Sequence, residues 1–208
     1  MPMQTFFNLP EDKRRTILRA ARQEFSRVTL EQASIANIIK TANIPRGSFY
    51  QYFENKEDLY MFMMKDIGTK ISDKTIAYLE ENNGDIIEAF IKLFYDLMGI
   101  IKKDENAAFF KNVFLNMNDK IRDSLTPSAG GSNCEHSHVG YLKHLSQLID
   151  TSSLALQDEK EIFYALKMMK GLVFQNLVPY FNGKITEKEA TESYLFQMNL
   201  IRKAIYKS

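Results

Sequence analysis

Apolar residues recur along this chain at spacings of three and four, the period of helices that bury one face. No segment has the two-residue β-branched alternation of a half-buried strand, so the pattern predicts an all-α chain. A first helix is expected over Glu11–Arg27, with Ile17, Leu18, Ala21 and Phe25 on its buried face and Pro10 near its first position. A short helix follows, with Ser34 as candidate N-cap and Ile35, Ile38 and Ile39 on one stripe. Asn43 tolerates a left-handed backbone and Pro45 cannot continue a helix, which sets a tight turn before a second short helix from Arg46 to Tyr52 or Phe53. Asn55 caps the next helix, with Asp58 at the reciprocal position three residues on. That helix should reach about Glu81, with Leu59, Tyr60, Phe62, Met63 and Ile67 on its apolar face and a possible bend at Gly68. Ahead of all of these, Met1–Leu9 forms an arm whose Phe6, Phe7 and Leu9 are expected to fold down onto the first domain.

Asn82-Asn83-Gly84 breaks the pattern, and two aromatic-rich helices follow. Asp85–Lys103 carries Ile86, Ile87, Phe90, Ile91, Phe94, Leu97, Met98 and Ile101; Glu105–Asn116 carries Phe109, Phe110, Val113 and Phe114, with Met117 beyond. Ser124–Ser137, rich in Gly and Ser, reads as a loop. Helices are expected again over Val139–Ile149, Asp158–Phe181 and Glu187–Tyr206, the last two divided at Asn182-Gly183. Their apolar sets (Phe163, Leu166, Met169, Leu172, Val173 and Leu177, then Tyr194, Leu195, Met198, Ile201 and Ile205) exceed what packing within one chain needs. Lys167, Lys170 and Asn176 are expected on the solvent side of that pair.

Charge sharpens this picture. Between Pro10 and Lys56 nine Lys and Arg face five Asp and Glu, a surplus of four, so a whole-chain net charge of +1 leaves −3 for the rest. A basic head on a mildly acidic body suits a protein that presents one end to a polyanion. Most of Lys13, Arg14, Arg15, Arg19 and Arg22 are assigned to solvated helix surface, and at most a few to flanking phosphates. With 45% hydrophobic and 25% charged residues the chain has globular composition. Its single cysteine excludes an intrachain disulfide and suits a reducing cytoplasm, and no apolar run is long enough for a membrane span.

No enzyme signature is present: no phosphate-cradling Gly loop, nucleophile elbow, HExxH or CxxC, and no nucleophile, base and orienter in register. Cys134, Glu135, His136 and His138, with His144 further on, match no standard metal spacing and are read as a polar loop, so neither metal nor cofactor is expected. The informative surface belongs to the second short helix. Two short helices at a tight turn are the sequence image of a helix-turn-helix, whose second helix enters the major groove. Ile44, Phe49 and Phe53 can point inward, leaving Arg46, Ser48, Tyr50, Gln51, Tyr52 and Lys56 as donors, with Gly47 permitting close approach. Arg and Gln suit base edges; Ser, Tyr and Lys suit phosphate oxygens. Arg46 and Gln51 are therefore candidate base readers, Ser48, Tyr50, Tyr52 and Lys56 candidate phosphate contacts, and Asn37 and Gly47 supporting positions.

The segment IANIIKTANIPRGSFYQYFENKEDLY resembles the DNA-binding region of the TetR/AcrR family of bacterial regulators, carried by Gly47, Ser48, Phe49, Tyr50, Gln51, Tyr52, Phe53 and Lys56. The resemblance covers about a quarter of the chain. It implies a three-helix DNA-binding domain at residues 1–55, and a larger helical ligand-binding and dimerisation domain at 56–208. It further implies a homodimer through the last two helices and a cytoplasmic regulator, in most such proteins a repressor, on a palindromic operator. It places a cavity among the middle helices, for which Phe90, Phe94, Phe110, Phe114, Met117 and Tyr141 are candidate walls around a hydrophobic or aromatic effector, although an aromatic stripe is also the ordinary signature of core. A helical small-molecule (or metal or haem) sensor or carrier with no DNA role is the alternative, and it leaves the Tyr50–Lys56 surface without a purpose.

Overall fold

A computed structural model describes residues 2–102, 104–116, 144–156 and 158–207. In chain order the helices are α1 (Gln4–Phe7), α2 (Glu11–Arg27), α3 (Ile35–Ala42), α4 (Arg46–Tyr52), α5 (Lys56–Glu81), α6 (Ile86–Lys102), α7 (Asp104–Leu115), α8 (Glu159–Phe181) and α9 (Glu187–Ile205). Among the described residues the only β pairing is one antiparallel bridge, Leu154 with Tyr206, flanked by Ala155 N–H to Ile205 O (2.7 Å) and Lys207 N–H to Ser153 O (3.0 Å). Among the described residues no helix is long and apolar enough to cross a membrane. The loop expected at Ser124–Ser137, the Cys134–His138 cluster, Met117, Tyr141 and the start of the helix expected at Val139 lie outside the described residues.

The described residues divide into two compact units: residues 2–68 with 104–116, and residues 69–102 with 144–156 and 158–207. In the first unit α2 packs against α3 and α7, α3 against α4, and α1 against α4. Its centre is made by Ile17, Phe25, Ile38, Phe49, Phe53 and Leu59, each withdrawn from water. Burial of such side chains contributes roughly 1.5–3 kcal/mol each, which holds short helices that would be marginal alone. The end of α2 is held by α7: Asn112 Nδ2 donates to Phe25 O (3.0 Å) and Ser26 O (2.9 Å).

In the second unit α6 packs on α8 and α9, and α8 on α9. The expected turn between α5 and α6 is present, with Asn83 (φ 52°) and Gly84 (φ 81°) in the left-handed region. Asp85 caps α6 by accepting from the N–H groups of Ile87 (2.9 Å) and Glu88 (3.0 Å), and it also accepts from the Tyr206 hydroxyl (2.8 Å). Tyr194 lies at the centre: its ring stacks on Phe94 with centroids 4.0 Å apart and its hydroxyl donates to Phe90 O (2.9 Å). Thr186 and Glu189 cap α9 reciprocally. Of the three polar residues expected on the solvent side of α8, only Lys167 is exposed. Asn176 is buried because its amide donates to Leu172 O (2.8 Å) and Gln197 Oε1 (2.7 Å), tying α8 to α9. Lys170 is half-buried, and loss of hydration pulls its ammonium down to about 8.

Candidate nucleic-acid interface

The helix-turn-helix is built around a buried carboxylate. Glu24 sits on the packed face of α2 beside Ala20, Ala21 and Phe25, only 5% exposed. It accepts from Arg27 (2.8 and 3.1 Å), from the Ser34 N–H (2.9 Å) and from Asn37 Nδ2 (3.1 and 3.3 Å). Ser34 does stand at the N-cap of α3, but its side chain makes no capping bond; Glu24, ten residues earlier, accepts from the Ser34 N–H itself, another of the helix's free terminal donors. A glutamate on an apolar stripe was the only sequence signal of this, and local capping rules do not reach across that distance. The Arg27 guanidinium first, then the Ser34 and Asn37 donors, hold the Glu24 carboxyl below its ordinary range against the opposing effect of burial. Glu24→Gln is expected to lower unfolding free energy by about 2 kcal/mol at neutral pH, because the amide turns a donor toward donors. A depressed carboxyl stabilises above its unfolded pKa, so the gap between the two proteins should close as pH falls below about 4. Denaturant titrations at pH 7 and pH 3.5 test this, and an unchanged gap would contradict it.

The turn follows the expected chemistry. Asn43 takes φ 51° and ψ 51°, Ile44 N–H returns to Ile39 O (3.1 Å), and Pro45 at φ −61° opens α4. Phe49 and Phe53 are fully buried and pin α4 to the core, while Arg46, Gly47, Tyr50 and Gln51 lie exposed and Ser48 is half-buried. The Arg46 guanidinium lies 5.9 Å from the Tyr50 ring centroid, so the two side chains share the outer face. Apart from the adjoining backbone of α4 itself, no atom among the described residues lies within 4 Å of where a Cβ on Gly47 would stand.

The other candidates sit further back. Tyr52 is only 6% exposed, its ring beside Phe6 (centroids 6.3 Å). Asn37 is exposed, with its amide nitrogen engaged by Glu24. Lys56 Nζ donates to Glu31 O (2.6 Å) and Ala33 O (3.0 Å), fastening the start of α5 to the loop before α3. Two of its three donors are thus engaged within the chain. Asn55 Oδ1 caps α5 by accepting from the Asp58 N–H (2.7 Å), and the Asp58 carboxylate in turn accepts from the Glu54 N–H (3.3 Å), one residue earlier than expected.

The candidate effector walls fall into separate units. Phe90 and Phe94 are buried in the second unit against Tyr194, whereas Phe110 and Phe114 belong to the first, where their rings stack at 6.1 Å. Another feature of the second unit is exposed. Tyr164 (50%) and Met168 (59%) lie one turn apart on α8, and Phe196 (66%) and Leu200 (51%) one turn apart on α9. Surplus apolar surface is thus present on these helices as expected, while Met169, Tyr194 and Met198 of the expected apolar sets are core.

Comparison with known proteins agrees with this geometry. Residues 17–61 match the family model "Bacterial regulatory proteins, tetR family", and residues 85–205 match "Tetracyclin repressor-like, C-terminal domain". The chain is 32% identical over 71 residues to the uncharacterized HTH-type transcriptional regulator YdgC of Bacillus subtilis, spanning 34% of this chain and 36% of that one. It is 32% identical over 85 residues to DhaS of Lactococcus lactis, an HTH-type transcriptional activator of the dhaKLM operon, spanning 40% and 39%. The matches thus span little more than a third of these curated relatives. Among solved structures, the repressor SmeT of the Stenotrophomonas maltophilia multidrug efflux pump SmeDEF superposes with a TM-score of 0.61 at 12% identity, over 98% of this chain and 93% of that one.

Proposed function

The chain belongs to the TetR family of bacterial transcription regulators, and from that premise we propose that it is a homodimeric repressor, released from a palindromic operator by a hydrophobic or aromatic effector. The observation that carries the reading is the outer face of α4. Its inward side is anchored by Phe49 and Phe53, while Arg46, Gly47, Tyr50 and Gln51 stand together in solvent on one short helix. In this reading Arg46 and Gln51 contact base edges, and Ser48 and Tyr50 contact phosphates. The open space at Gly47 lets the backbone approach the duplex. Asn37, Tyr52 and Lys56 complete the interface from behind, where Lys56 has one donor left for a phosphate.

One short recognition helix covers few base pairs, so specificity calls for two heads on half-sites about 34–36 Å apart. The exposed pairs Tyr164 and Met168 on α8 and Phe196 and Leu200 on α9 are the natural places for the second copy to pack. The apolar and aromatic character of α6 supports an apolar effector, which must favour the DNA-incompetent state by about 1–3 kcal/mol to act. In this reading residues 1–55 form the DNA-binding domain and residues 56–208 the effector and dimerisation domain.

The test is selection of bound sequences from a random duplex pool at about 0.15 M salt, where non-specific attraction is damped. A palindrome is expected. Arg46→Ala and Gln51→Ala should each relax preference at a defined position and cost about 1–3 kcal/mol there. Lys56→Met should weaken binding to all sequences alike. Equal losses on every sequence from all three variants would overturn the assignment of roles. A reporter downstream of the selected site then decides repression against activation, the sign borne by the Lactococcus relative.

A further inference from the structure

We propose that the N-terminal arm is a positioning clamp on the recognition helix, and that Thr5 sets the placement of Gln51; this rests on the reading that Gln51 contacts bases. A seven-residue helix has more unpaired terminal groups than internal bonds, so its free C-terminal carbonyls must find partners outside it. In α4 two of them are met by the arm. The Thr5 hydroxyl donates to Gln51 O, and the Met3 N–H donates to Tyr52 O at 2.8 Å. These bonds terminate on the carbonyl of the proposed base reader itself and on that of the next residue.

The arm is anchored firmly enough to hold them. Phe6 is 1% exposed, and its ring lies 4.7 Å from Phe53 and 5.5 Å from Phe62, centroid to centroid, with Tyr52 at 6.3 Å. Arg14 Nη1 donates to Phe7 O (3.0 Å), closing the arm onto α2. The N-terminal half of α4 is fixed by the turn at Asn43–Pro45 and by Phe49. Its last turn, which carries Gln51, is fixed by buried Phe53 on the inside and by residues 3–6 from outside. Thr5 is therefore a positioning residue: it touches no base and acts through the backbone of Gln51.

The experiment compares the full chain with Thr5→Val, Thr5→Ser and Gln51→Ala by sequencing DNA pools bound at about 0.15 M salt, with thermal unfolding of each protein alongside. Thr5→Val keeps the shape and removes the donor; Thr5→Ser keeps the donor. Loss of one neutral hydrogen bond corresponds to a threefold to tenfold change. Thr5→Val should therefore lose about threefold to tenfold of the preference at the base pair that Gln51→Ala also relaxes. Its binding to random duplex should be unchanged, and Thr5→Ser should restore the native profile. A Thr5→Val profile identical to the native one, a loss spread evenly over all sequences, or failure of Thr5→Ser to restore it overturns the clamp while leaving the Gln51 assignment standing. A Gln51→Ala profile that matches the native one overturns that assignment and the clamp with it.

Discussion

Glutamate at both Met168 and Phe196 is expected to leave the chain monomeric and to weaken its binding to a two-half-site operator by roughly a hundredfold or more. Both side chains already lie mostly in solvent, 59% and 66% exposed, so charging them should cost the isolated chain little. In a dimer packed through these residues the same carboxylates would be buried without partners, four of them across the pair, and each such burial costs several kcal/mol. Operator affinity then falls because specific binding exceeds non-specific binding by about 10³–10⁷, and a single head keeps only about half of that free energy. Sedimentation at micromolar concentration and binding to paired against single half-sites measure both effects. An unaltered circular dichroism melt ensures that the loss is one of assembly rather than of folding. A variant that remains dimeric would place the interface elsewhere. One that turns monomeric yet still distinguishes paired from single half-sites would remove the two-head reading.

How much of this was visible in the sequence depends on how far each interaction reaches along the chain. The helix-turn-helix was legible because its determinants are local: Asn43 and Pro45 dictate the turn, and the Phe49 and Phe53 spacing dictates which side of α4 is left outside. The limits of α5 were legible for the same reason, from the Asn55 cap and the Asn82–Gly84 break. Glu24 was not, since its role as the cap of α3 depends on two helices crossing. Thr5 was not either, because nothing around it in sequence points to the Gln51 carbonyl. Asn176 failed for the opposite reason: an amide on a helix is assigned to water unless its partner, here Gln197 on the neighbouring helix, is known. The surplus apolar surface of α8 and α9 was expected in amount but not assigned to positions. Both helices carry apolar residues around most of their circumference, and periodicity alone cannot decide which arc meets the core.

The largest loss of stability from a single added methyl group is expected at Gly84. A Cβ there would lie 2.4 Å from the Asp150 N and 2.6 Å from the Leu148 O, both backbone atoms that no rotamer change can clear. The backbone at Gly84 also has φ 81°, which alanine adopts only with strain. Relief by moving residues 148–150 away would break the bond from the Asp150 N–H to Gly84 O (3.1 Å). It would also disturb Leu145 and Ile149, which are buried. The three effects act together because one cannot be relaxed without worsening another. Gly84→Ala should therefore lower unfolding free energy by about 3 kcal/mol or more, a fall in Tm of roughly 6–12 °C for a chain of this size. Gly183→Ala is the internal control: it shares the left-handed backbone, at φ 66°, but has open space around its Cβ direction. It should show the conformational cost alone, on the order of 1 kcal/mol. Thermal melts of the two variants beside the native chain separate the terms, and equal losses at both positions would mean that the contact with residues 148–150 contributes nothing.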